Sequence, residues 1–138
     1  MLAILLSLLA ATTSPCSEGG ELEPPLCPTG LARVAYLGIE EQGIAIWPTE
    51  ALDPPCRGFT LTEADARGFF RQARKADARA VHFTLPESPC VVRGHVRSAD
   101  GTDGHWQIDR FALGWLDRPG HPRMTLYCRR CRRAPWAQ

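Results

Sequence analysis

A chain of 138 residues has the length for one domain with its own core and too little for two. Its 44% hydrophobic and 22% charged residues are ordinary for a globular protein, which excludes disorder as the default. The formal charge is only +1 but unevenly spread: seven acids against one base, Arg33, ahead of Cys56, then eight acids against fifteen bases. That asymmetry allows a basic face toward an anionic partner, with a solvated surface as the plainer reading.

The first element is a leader. Met1 to Thr13 is an apolar run well short of the ~20 residues a membrane-spanning helix needs, and it gives way to Ser14-Pro15-Cys16. This predicts a signal peptide over residues 1–14, although no Lys or Arg precedes the apolar run. Lipidation at Cys16 fits poorly, because Thr13-Ser14-Pro15 stands where aliphatic and small residues are wanted. Export to the periplasm, cell envelope or medium follows. It puts Cys16, Cys27, Cys56, Cys90, Cys128 and Cys131 where disulfides persist, so all six are disulfide candidates.

Residues 15–30 are rich in Pro and Gly and read as an extended segment, with a Cys16–Cys27 bridge as one way to pin it. Leu31 to Leu37 and Gly43 to Pro48 are expected to be two short strands, separated by Glu40-Glu41-Gln42. Prolines 48, 54 and 55 then interrupt regular structure. A helix is well signalled. Thr60 with Glu63, or Thr62 with Asp65, fits a capping box. Ala66, Phe69, Phe70 and Ala73 follow at the spacing of one buried stripe, with Arg67, Arg71, Gln72, Arg74 and Lys75 on the outer face.

Beyond the helix the period drops to two. Ala80 to Leu85 is expected to be a strand ended by Pro86. Cys90 to Arg97 alternates, with Val92 and Val96 facing one way and Arg93, His95 and Arg97 the other. Asp100-Gly101 and Asp103-Gly104 are turn chemistry. Trp106 to Asp109 opens a strand that can continue, through a bulge, to Trp115. Asp117 to Gly120 is a turn, and Met124 to Cys128 is the last strand. The expected fold is α+β: a single domain over 31–131, with one main helix on a curled antiparallel sheet of about four strands and extra short N-terminal strands. A basic tail over 132–138 ends the chain. The order of elements is similar to a cystatin-like roll, which by analogy of fold implies no function.

The sharpest local motif is Cys128-Arg-Arg-Cys131. Flanking arginines favour a thiolate, so thiol–disulfide exchange is one reading. However, the pair follows a strand instead of opening a helix, which favours a structural bridge within the pair or to Cys56 or Cys90. Four thiolates from Cys56, Cys90 and the pair could hold zinc, but only one CxxC is present. His82, His95, His105 and His121 lack ligand spacing, and Asp100 to Gly104 lacks the remaining ligands of a calcium loop. No nucleophile elbow, phosphate-binding loop or dinucleotide fingerprint occurs, so no catalytic residue, metal or cofactor is assigned. Arg129, Arg130, Arg132 and Arg133, with Trp136 behind them, form a basic–aromatic patch that is the candidate binding surface. Trp47, Trp106, Trp115 and Trp136 are core residues, or interface anchors where exposed.

Phe59 to Asp65, Phe69-Phe70, Ser88-Pro-Cys90 with Gly94, Asp100-Gly101 with Trp106 and Ile108, and Leu126-Tyr-Cys-x-x-Cys131 together resemble a group of small exported proteobacterial proteins without known activity. The resemblance covers residues 56–131 and implies a periplasmic module with paired cysteines. The combined expectation is a disulfide-stapled binding module of inhibitor or immunity type. Its partner would be an envelope protein or anionic surface, not nucleic acid, and no transmembrane span is expected. A redox protein using Cys128 and Cys131, or a zinc-binding domain, is the alternative.

Overall fold

The computed structural model describes residues 15–48 and 55–137; the expected signal peptide lies outside them. The elements in chain order are β1 (Val34–Ala45), a 3₁₀ turn (Cys56–Gly58), α1 (Glu63–Gln72), β2 (Arg74–Ala76), α2 (Ala78–Thr84), β3 (Cys90–Ser98), β4 (Asp103–Asp109), β5 (Leu113–Asp117) and β6 (Met124–Tyr127). The six strands form one antiparallel sheet in the order β1-β3-β4-β5-β6-β2. The α+β class is as expected, but the sheet has two more strands and there is a second helix. Among the described residues no helix is long and apolar enough to cross a membrane.

The two short strands expected near the start are one long edge strand. Its register slips on both sides of Glu41, and Gly43 adopts a positive φ of 55°. A side chain at Gly43 would also press on the Cys56 carbonyl at 2.7 Å, so glycine is required twice over. Through this bulged stretch Gln42 does the work of a strand neighbour. Its amide donates to the Leu61 carbonyl at 2.7 Å and accepts from the Leu61 N–H at 3.0 Å.

α1 starts in the second of the two capping registers. Thr62 Oγ1 accepts from the Asp65 N–H at 3.0 Å, and Asp65 Oδ2 accepts from the Thr62 N–H at 2.8 Å. Ala66 and Phe69 are fully buried against Val92, Val96, Trp106, Ile108, Leu116 and Leu126, so α1 covers one face of the sheet. The helix ends earlier than its pattern predicts. Ala73 turns extended, and Arg74 and Lys75 leave the helix for β2. The competing partners are tertiary: β6 on one side, and on the other Cys27, which exchanges two 2.8 Å backbone hydrogen bonds with Lys75.

The strand expected over Ala80 to Leu85 is instead α2. Asp77 caps it by accepting from the Ala80 N–H at 3.0 Å, and only Val81 is buried while Phe83 is 74% exposed. Val81 packs with Leu26, Ala76 and Leu113, and Leu113 shares its strand face with Trp115. α2 therefore lies on the sheet face opposite α1. Asp103-Gly104 opens β4 instead of turning. The expected single bulged strand from Trp106 to Trp115 is a hairpin, because the Asp109 carboxylate gathers the Phe111 and Leu113 N–H groups at 2.7 and 3.1 Å and Ala112 takes a φ of 60°.

Candidate binding surface

Three disulfides hold the irregular segments: Cys16–Cys27, Cys56–Cys90 and Cys128–Cys131. The last closes a turn at the end of β6, in which the Cys131 N–H donates to the Cys128 carbonyl at 3.2 Å and the Cys128 N–H to Ala112 at 3.0 Å. That anchored turn projects Arg129 and Arg130 outward. The Cys16–Cys27 bridge pins the N-terminal segment beside it, with Ser17 exchanging hydrogen bonds with Leu26 through backbone and hydroxyl.

Between the two stapled segments lies a hollow of about 570 Å³ lined by Arg71 from the last turn of α1, Arg74 from β2, and Arg129 and Arg130. Four arginines line it, from two stretches of chain, residues 71–74 and 129–130. Arg129 is paired with Glu23 at 3.2 Å, and Arg74 donates to the Pro15 carbonyl at 2.9 Å while its Nε is buried without a partner. Arg71 and Arg130 form no ion pair with the described residues. The expected basic run is thereby split. Arg132 and Arg133 line a second hollow with Asp65 and Trp136, and Arg130 borders both. Trp136 packs 6.1 Å from Phe59 and 5.9 Å from Phe69, and the Ala137 N–H donates to Arg110 at 3.0 Å, so the basic tail folds back onto the core.

Arg71 and Arg74 were legible in sequence only as members of a helix's outer face. Their meeting with Arg129 and Arg130 depends on β2 pairing with β6, which brings the end of α1 beside the disulfide turn.

The remaining candidate groups point to architecture. Cys128 is 1% exposed at a strand end, with no helix N-terminus to stabilise a thiolate, while Cys131 is partly exposed. Attack on the accessible sulfur would expel Cys128 as a buried thiolate, a poor leaving group. Cys56, Cys90, Cys128 and Cys131 are all in disulfides, so the four-thiolate zinc set is not formed. His95 pairs with Glu40 at 2.9 Å and sits 6.5 Å from His105 on the polar sheet face. Asp109, 5% exposed, also accepts from the Ser88 N–H at 2.9 Å; burial pushes its carboxyl up to about 7, against the pull of three amides.

No known family, curated protein or solved structure matches this chain. The arginine-lined hollow therefore has to be read from its own chemistry.

Proposed function

We propose that this chain is an exported, disulfide-stapled binding module that holds an acidic segment of a partner protein in the hollow between Arg71, Arg74, Arg129 and Arg130. The observation that carries the reading is the gathering of these four arginines around one hollow, Arg71 and Arg130 without an ion pair to the described residues. Arginine offers carboxylates a planar, bidentate fork and sheds water more readily than lysine. Two walls of the hollow are closed by disulfides, so little order has to be gained on binding. An inhibitor or immunity protein of the cell envelope is the concrete form. The leader-like first residues, the three disulfides and the resemblance to small exported proteins support the compartment.

Poly-L-glutamate serves as the probe, titrated by calorimetry into the full oxidised chain at low and raised salt. We expect saturable binding that weakens with salt and falls by about tenfold or more in Arg71→Glu/Arg130→Glu. Equal binding by the variant and the parent would reject the hollow as the contact surface.

A further inference from the structure

The sheet face opposite α1 carries a second concavity, remote in character from the basic hollow. Gln107 and Asp109 of β4 and Trp115 of β5 form its floor with Thr125 of β6. Val81 of α2 walls one side, and the chain leaving β1 walls the other with Ile46 and Trp47. The volume is about 290 Å³, near the lower end of the roughly 300–1,000 Å³ typical of small-molecule sites. Trp47 is 43% and Ile46 37% exposed, so large apolar side chains stand at the rim.

The cleft carries two acidic side chains, Glu87 and Asp109, besides the paired Arg123. Arg123 lies 3.9 Å from the Trp115 ring centroid and is neutralised by Asp117 through hydrogen bonds of 2.8 and 2.7 Å. That clamp fixes Trp115 in place. Gln107 accepts from Arg93 at 2.8 Å with its carbonyl, which leaves its amide N–H groups to donate into the cleft. The Thr125 hydroxyl makes no hydrogen bond to the described residues. Asp109 Oδ2 accepts a single amide, from Ser88, so one lone pair remains available.

The exposed Trp47 face beside an amide donor, a hydroxyl and a carboxyl oxygen fits a ligand with an apolar ring face and hydroxyl edges. We propose that this cleft binds one ring of a neutral glycan, stacked on Trp47 beside the Arg123-covered Trp115, with its hydroxyls on Gln107, Thr125 and Asp109. The arginine hollow would take no part. The lining holds no unpaired base, which argues against an anion, and the choline control below tests a cation drawn by Glu87 and Asp109.

Calorimetric titration of the full oxidised chain with a panel of neutral oligosaccharides (chitotriose, cellotriose and maltotriose), and with choline as a cationic control, tests this. Saturable binding of at least one oligosaccharide is expected, weakened about tenfold or more by Trp47→Ala and by Gln107→Ala without loss of Tm. Trp47 is exposed enough that its replacement leaves the core intact. Arg130→Glu should bind the same sugar as the parent does, which separates this site from the basic hollow. The proposal is overturned if none of the three sugars binds at millimolar concentration, if only choline binds, or if both variants bind like the parent.

Discussion

Removing each disulfide in turn tests whether these bonds act by constraining the unfolded chain. The three bridges close loops of very different size: sequence separations are 34 for Cys56–Cys90, 11 for Cys16–Cys27 and 3 for Cys128–Cys131. Loop-closure entropy grows with the logarithm of loop length, so their contributions at 25 °C are about 4, about 3 and about 2 kcal/mol in that order. Cys90 is wholly buried and Cys56 nearly so, which adds a small packing loss to the largest figure. Against a typical total of about 5–15 kcal/mol, Cys56→Ala/Cys90→Ala then removes a quarter of the stability or more. Urea denaturation of the three double-alanine variants, followed by tryptophan fluorescence, gives the ranking directly. Because an uncrosslinked chain exposes more surface on unfolding, extrapolated free energies are compared, not midpoints. If losing Cys128–Cys131 costs as much as losing Cys56–Cys90, the entropic reasoning is refuted, and the C-terminal bridge must act by fixing the native turn.

Phe69→Ala should cost about 3–5 kcal/mol and Phe70→Ala clearly less, since Phe69 is fully buried and Phe70 only partly; equal losses by urea denaturation would misplace the helix face. Asp109 has a folded-state value raised to about 7 from 3.8, so its contribution is fully present below about pH 4 and is lost as pH rises through 7. Tm should therefore fall across that window. Asp100, Asp103 and Asp117, held below the ordinary carboxylate range by the Thr102 amide, Arg97 and Arg123 respectively, act in the opposite sense but only at lower pH. A Tm that climbs steadily from pH 4 to 7 would show the three amides outweighing burial.

What could be read from sequence was what is encoded locally. α1 announces itself by a cap and a stripe that need no other part of the chain, and β3 by the alternation, from Val92 onward, of Val92, Gly94 and Val96 with Arg93, His95 and Arg97. α2 is hard to read locally because Val81, Phe83 and Thr84 are β-prone in composition, and only Asp77 at the cap with Ala78, Arg79 and Ala80 behind it signals a helix. β2 had no local signal at all. Three residues with helix-compatible side chains become a strand only because Cys27 and β6 offer backbone partners on both sides. The basic surface divides in the same way: Arg129 and Arg130 were visible as a charged run, whereas Arg71 and Arg74 join them through that unforeseen strand.

The placement of the disulfides connects the fold to the proposed binding surface. Each one holds a stretch that has little regular structure of its own: the N-terminal segment, the turn before α1, and the chain after β6. Two of those three stretches form walls of the arginine hollow. Like charges brought together in this way repel, and loops left to themselves would spread to relieve the repulsion. The bridges oppose that spreading, which is the preorganisation that the proposed binding of an acidic segment would use. A staple of only three residues' separation contributes the least of the three to global stability, yet it closes the turn that carries Arg129 and Arg130. The Cys128–Cys131 bond is thus better understood as shaping the turn that carries the proposed contact residues than as holding the domain together.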